Sequence, residues 1–251
     1  MRDLRVELSV DTLAGAIAAD VLGADRIELC AAALDGGLTP SHGLIAAAVA
    51  RCAAPVHVLI RPRGGDFSYS DAELAAMVTD AAHAVELGAA GVVSGVLTED
   101  ATVHKAAVSA LVAAAGAAEF TFHRAIDVCA QPLAALGVLG DLGVRRVLSS
   151  GAAPTAMLGA GVLADLVRRA TPGLSVMACG GVRPDNVMDV VRATGVRDVH
   201  AAPRIAVRGW QRPGGWTVNF TSGDPPAGYD RYDLAEQTAS ELCEMADSYP
   251  W

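Results

Sequence analysis

The residues best able to do chemistry in this chain fall where β-rich runs end. Glu7 and Glu28 lie in the first two such runs, the third ends in Arg61-Pro62-Arg63-Gly64-Gly65-Asp66, and the fifth in His123-Arg124-Ala125-Ile126-Asp127. A charge does not persist in apolar surroundings without a partner, so Glu7 and Glu28 are expected to face Arg61 or Arg63. Such a network serves structure as readily as catalysis. His123 adds an imidazole that titrates near neutral pH and can act as general acid or base, its tautomer fixed by Asp127 or a Glu. His123, Glu28 and Asp127 are therefore the catalytic candidates. Glu7, Glu28 and His123 could also present carboxylates and an imidazole to a divalent metal, although no helical H-E-x-x-H spacing supports that version.

Two later runs end in Ser149-Ser150-Gly151 and Cys179-Gly180-Gly181. Small residues there let backbone amides approach an anion, or simply make a tight turn that needs positive φ. Glu7, Arg61, Arg63, Asp66, Ser150, Gly180 and Gly181 make up the candidate ligand-binding set. The loop from Arg63 to Asp71 joins glycine, acid, hydroxyl and aromatic groups; it either closes over a ligand or is a plain connection capped by Asp71.

The one lysine, Lys105, falls in an expected helix beyond the fourth run, which argues against Schiff-base chemistry. No Gly-x-Ser-x-Gly elbow or Walker loop is present. Cys30, Cys52, Cys129, Cys179 and Cys243 are odd in number and widely spaced, as free thiols in a reducing compartment are. Thiolates at Cys30, Cys129 and Cys179 would suit Cu(I), whereas Cys52 belongs toward the opposite face from Cys30, so those two should not share an ion. A buried free cysteine also serves as a small hydrophobe.

Eight β-rich runs must position these groups: 5–10, 25–30, 56–61, 91–95, 119–123, 146–149, 175–178 and 198–201. Ala-rich amphipathic stretches separate them, the signature of βαβ units and a parallel sheet. Ser70-Asp71-Ala72-Glu73 reads as a capping sequence, and a glycine before the entry to a strand recurs at Gly23, Gly88, Gly143 and Gly195. This points to an α/β fold, a single (β/α)8 TIM barrel over residues 1–251, with chemistry at the carboxyl ends of the strands; a doubly wound sheet is the alternative. Residues 209–228, rich in Gly and Pro, read as a long loop, and 231–245 as a terminal helix.

A length of 251 residues suits one barrel, and 52% hydrophobic with 4% aromatic residues means a core of Ala, Val and Leu. The formal charge of -9 argues against nucleic acid as a partner. No apolar stretch approaches membrane-spanning length, and Met1-Arg2-Asp3-Leu4-Arg5 lacks the apolar run of a signal peptide, so a cytoplasmic location without a membrane partner is expected.

Several strings carry a resemblance: Glu28-Leu29-Cys30-Ala31-Ala32, Gly36-Gly37-Leu38-Thr39-Pro40-Ser41, Arg61 to Asp71, and Thr121-Phe122-His123-Arg124-Ala125-Ile126-Asp127. Together they resemble the CutC copper-homeostasis family, from the first strand through Gly181 and weakly around Tyr229 to Met245. The resemblance implies a cytoplasmic barrel, a homo-oligomer, linked to copper tolerance and Cu(I) binding, with Cys30 the metal ligand that lies within a matching motif. The chain departs from the pattern at His200-Ala201-Ala202-Pro203, where Ser-rich residues are expected, and at Ser9, where a cysteine can occur. Its best-matched residues are Arg, Glu, His, Asp and Gly, a poor cage for Cu(I). Two functions are thus carried forward: copper handling through thiols, and an enzyme or sensor for a small anionic metabolite, phosphorylated ones included, held by Arg61, Arg63, Glu28 and His123.

Overall fold

A computed structural model describes residues 3–209 and 231–249. Along the β-rich runs the outward-turned side chains are mostly Val, Ile, Leu, Phe or Ala, such as Val6, Leu8 and Val10 on the first strand. These pack against a ring of helices, so the main core lies between sheet and helices rather than at the centre. The strands are β1 (Arg5–Val10), β2 (Arg26–Leu29), β3 (Val56–Leu59), β4 (Gly91–Ser94), β5 (Glu119–Phe122), β6 (Arg146–Ser149), β7 (Ser175–Ala178) and β8 (Asp198–Ala201). They pair in sequence order and β8 closes on β1, giving a closed barrel. The doubly wound alternative is thereby excluded.

The helices are α1 (Leu13–Val21), α2 (His42–Arg51), α3 (Asp71–Glu86), α4 (Lys105–Ala115), α5 (Pro132–Asp141), α6 (Ala160–Arg169), α7 (Val187–Thr194) and α8 (Glu236–Asp247). Ser70, not Asp71, is the N-cap of α3, and it forms a reciprocal capping box with Glu73. Gly23, Gly88, Gly143 and Gly195 all adopt positive φ, which a side chain would strain; each turns the chain from a helix toward the next strand. The recurring glycine signal in the sequence has this cause.

After β8 the chain forms a two-stranded antiparallel ribbon, β9 (Arg204–Val207) with β10 (Arg231–Leu234). The expected terminal helix over 231–245 is corrected accordingly: Arg231–Leu234 are strand, and the helix begins only at Glu236 and runs to Asp247. The alternating Arg-Tyr-Asp-Leu pairs with β9, and its Asp233 accepts a hydrogen bond from the Thr12 hydroxyl at 2.9 Å, tying the ribbon to the start of α1. Beyond Gly209, the expected loop at 209–228 lies outside the described residues. No described helix is long and apolar enough to cross a membrane.

Candidate functional site

Inside the barrel the alternation leaves few apolar side chains, grouped as Cys30 with Leu59 and Val93, and Leu148 with Met177 and Cys179. The rest is polar. At the amino ends of the strands Asp198 accepts from Arg5 at 2.7 Å and lies 3.4 Å from Arg26 and 3.8 Å from Arg146, which also donates to Glu119 at 2.9 Å. One layer higher, Arg26 Nε donates to Glu7 at 2.5 Å, and His200 Nδ1 donates to the other Glu7 oxygen at 2.7 Å. Burial would raise the Glu7 pKa, but the Arg26 charge and the His200 bond prevail and hold it far below the usual carboxylate range.

This network corrects one expectation: among the described residues Glu7 and Glu28 form no ion pair with Arg61 or Arg63. Arg61, buried at the end of β3, donates to the carbonyls of Asp35, Gly37 and Gly65 at 2.8–3.1 Å, and so clamps the loops after β2 and β3. Among the described residues no carboxylate pairs with it. Arg63 lies 2.6 Å from Glu73 and 3.2 Å from Asp66 and donates to the Ser68 carbonyl, which makes it a staple of its own loop. Asp66 is largely exposed. Phe67 of the same loop does reach the site, its ring 5.1 Å beneath the Arg61 guanidinium.

His123, just past β5, is buried; its Nδ1 accepts from the Ala125 backbone N–H at 3.2 Å. A neutral imidazole accepting at Nδ1 carries its proton on Nε2, and that buried Nε2 has no hydrogen-bond partner. Burial, reinforced by the nearby Arg61 charge, pushes its pKa down to about 3, so the ring is neutral at physiological pH. The expectation that Asp127 fixes this tautomer is not met: its carboxylate instead accepts from Ser149 Oγ at 2.6 Å and from the Ser150 and Ala152 amides, ordering the loop after β6. The Ser150 hydroxyl is occupied within that loop, donating to the Ala153 carbonyl at 2.6 Å and accepting from Arg124 at 2.7 Å.

Glu28, Cys30, Arg61 and His123 come together around one cavity of about 200 Å³ at the carboxyl ends of the strands. Ser9, Phe67, Arg124, His200 and Arg204 line it as well; none was among the named site candidates, although Phe67 belongs to the loop read as able to close over a ligand. A signal was present for His200, which lies next to the end of a β-rich run; Arg204 opens β9, a strand absent from the sequence reading. Gly180 and Gly181, both at positive φ, line an adjoining cleft that shares Arg124 and His200 with this cavity. Glu7 lies beneath, touching the mouth through His200.

Burial and the Glu7 charge raise the Glu28 pKa, with His200 opposing. Burial disfavours charge on His200, but Glu28 and Glu7 outweigh it and raise that pKa. Donor atoms of Glu7, Glu28 and His200 lie within 4.8 Å of one another, close enough to meet one ion. Glu7 is already spent on Arg26 and His200, so the trio is better suited to relaying a proton than to caging a cation. The expected grouping of Glu7 and Glu28 with His123 is replaced by this one, because the β1–β8 register sets Glu7 against His200.

The CutC family model matches residues 4–205. The chain belongs to the CutC family. A family protein CutC of Mesorhizobium japonicum is 43% identical over 197 residues, 78% of this chain and 76% of that protein. One from Salmonella typhimurium is 39% identical over 237 residues, 94% and 95% of the two chains. A solved structure described as a candidate copper homeostasis protein CutC, from Streptococcus agalactiae, superposes with a TM-score of 0.74 at 31% identity, covering 78% of this chain and 97% of that one. In this CutC chain Cys30 does line the mouth, but burial and the Glu28 charge push its thiol up to about 12. Its sulfur lies 3.5 Å from the Val10 carbonyl and 3.9 Å from the Ser9 hydroxyl.

Proposed function

We propose that this CutC-family chain binds a small anionic metabolite, phosphorylated ones included, at the carboxyl end of the barrel. The observation that carries this reading is the buried His123 Nε2–H, a hydrogen-bond donor without a partner, at a cavity that Arg61, Arg124 and Arg204 also line. A buried donor left unsatisfied costs about 1–3 kcal/mol, a cost that an oxygen of a bound ligand would remove. Arg124 and Arg204 are balanced by Asp127 and Asp11, whereas the Arg61 charge is answered only by carbonyls among the described residues, leaving positive potential beside the donor.

Copper handling is the second reading, favoured by the description of the Streptococcus agalactiae relative and by Cys30 in the mouth. The donor set fits it less well. The only cluster of three ligating groups among the described residues contains no sulfur. The five cysteines free of disulfides support a reducing, cytoplasmic setting, and the family resemblance supports a homo-oligomer.

The test titrates the reduced protein with inorganic phosphate and 2-phosphoglycolate by calorimetry, and separately with Cu(I) against a competing chelator. Anion binding that weakens roughly tenfold in His123→Ala, the worth of about one hydrogen bond, is the expected result. Stoichiometric tight Cu(I) binding lost in Cys30→Ala, with no anion binding, would overturn it in favour of copper.

A further inference from the structure

The anion pocket has the parts of a proton-transfer site. Resting on the anion-binding reading, we propose that the mouth abstracts a proton beside the carbonyl of a short anionic aldehyde or ketone, with Glu28 as base and His123 Nε2–H as donor to the carbonyl oxygen.

Both groups line the same cavity and both are buried, so a substrate that fills it displaces the water that would weaken either. Glu28 is not locked in an ion pair: its nearest cationic partner is His200, whose Nε2 stands 3.9 Å away, beyond hydrogen-bond reach. Glu7 holds the His200 Nδ1–H at 2.7 Å, which turns Nε2 toward Glu28. A proton taken up by Glu28 therefore has an oriented imidazole beside it.

His123 supplies the opposite half. A neutral imidazole whose single N–H is not claimed by the protein can stabilise an enolate oxygen without having first to lose a proton, the division of labour between carboxylate base and neutral histidine known from triosephosphate isomerase. Its orientation is built in: the Ala125 amide fixes Nδ1, Phe67 packs against the ring at 4.8 Å, and Gly95 leaves the space the ring occupies, since a Cβ there would lie 2.5 Å from Nδ1. The carbonyl must be polarised in this way rather than as an imine, because the one lysine, Lys105, opens α4 and lines a different cleft.

In the step itself the C–H bond breaks and its proton passes to a Glu28 oxygen. The C–H electron pair becomes the C=C bond, and the carbonyl π pair moves to the oxygen, which accepts from His123 Nε2–H. Reversal returns a proton from Glu28 to carbon and restores the carbonyl. No oxidant, reductant or co-reactant is consumed.

The full chain is incubated in D2O with dihydroxyacetone phosphate, glyceraldehyde 3-phosphate and pyruvate, and deuterium entry at the carbon beside the carbonyl is followed by NMR; binding of 2-phosphoglycolate is measured in parallel. Expected is enzyme-dependent exchange into at least one of the three, cut roughly 100-fold or more in Glu28→Gln, with 2-phosphoglycolate still bound. Should Glu28→Gln fail to fold, Glu28→Asp, which withdraws the base by one methylene, should lower exchange while leaving the melting temperature near wild type. Binding of 2-phosphoglycolate with exchange at the buffer rate for all three compounds overturns the proton-transfer proposal and leaves anion binding standing. Absence of both overturns the two together. Exchange untouched by the Glu28 variants overturns the assignment of the base.

Discussion

The lower and upper halves of the barrel interior are built from the same residue types and do different things with them. Below, Arg5, Arg26, Arg146, Glu7, Glu119 and Asp198 answer one another charge for charge. Above, Arg61 is answered by carbonyls and the Phe67 ring, His123 Nε2 by nothing, and Glu28 by the Ser9 hydroxyl and an imidazole 3.9 Å away. The lower half is not perfectly satisfied either, since His57 Nδ1 and Arg146 Nε lack hydrogen bonds, but the latter still lies 3.8 Å from Asp198. A buried charge that has found its partners is a plug. Buried polar groups that face a cavity without partners mark the place where a ligand completes the structure.

The strongest way to break this contrast is to unpair the plug. Glu7→Ala leaves Arg26 buried beside a void and removes the acceptor for His200, and should cost about 3–5 kcal/mol in urea denaturation. His123→Ala, in the mouth, should cost less stability and more ligand affinity. If the two variants lost stability equally and bound anions equally, the division between halves would be wrong.

Acid should act with one sign on His57 in the lower half and His123 in the upper. Burial pushes His57 down to about 4, with Glu7 opposing and Arg26 reinforcing the shift, and pushes His123 down to about 3. A histidine whose folded pKa lies below its unfolded value near 6.5 binds its proton more readily unfolded, so its contribution is complete above pH 6.5 and is lost as pH falls toward the folded pKa. Glu7 adds to this below its unfolded pKa of about 4.5. His200, raised, works in reverse, its contribution present below pH 6.5 and lost as pH rises through its folded pKa, and Glu28, also raised by burial, opposes too, since the folded state holds its proton the more tightly. The urea midpoint should therefore fall by the equivalent of roughly a few kcal/mol between pH 6.5 and 4, and more gently in His123→Asn, which has no imidazole to titrate. An unchanged slope in that variant would count against a neutral buried His123.

A matched pair of glycines sharpens the comparison further. A Cβ at Gly91 would meet the His57 ring at 2.4 Å, and one at Gly95 the His123 ring at 2.5 Å. Gly91→Ala and Gly95→Ala should each cost about 1–3 kcal/mol of stability through overpacking. Only Gly95→Ala should also weaken 2-phosphoglycolate binding, because only it moves a ring that faces the cavity. Equal effects of the two on binding would mean that the interior responds as one unit.

How much of this was legible in the sequence follows from which interactions are local. Alternation, the strand-entry glycines and the Ser70–Glu73 box are local, and all eight strands were visible, with β2 through β5 ending one or two residues short of their reading at Cys30, Arg61, Gly95 and His123. Cys30, Arg61 and His123 still line the cavity from the strand ends, and with Glu28 on β2 four of its groups were found. Register across the barrel is not local: Glu7 and His200 are 193 residues apart, and only closure of β8 on β1 sets them side by side. The same blindness paired the glutamates with Arg61 and Arg63, which local loops claim instead, and assigned Asp127 to His123 when the loop after β6 holds it.

The smallest expected effect is the one that separates this chain's chemistry from the family's association with copper. Cys30 packs with Leu59 and Val93, and its sulfur makes only long contacts to Val10 and Ser9. Acting as a small hydrophobe, it should be replaceable by alanine at a cost of about 1 kcal/mol, the worth of a small packing defect. Phosphate and 2-phosphoglycolate affinities should change less than about threefold, since no polar bond to the anion is removed. The prediction is sharp because the thiol shares the cavity with Glu28 and His123: if its removal abolished anion binding, sulfur and imidazole would have to act on one ligand, and the mouth would be a mixed site rather than an oxygen-recognising one.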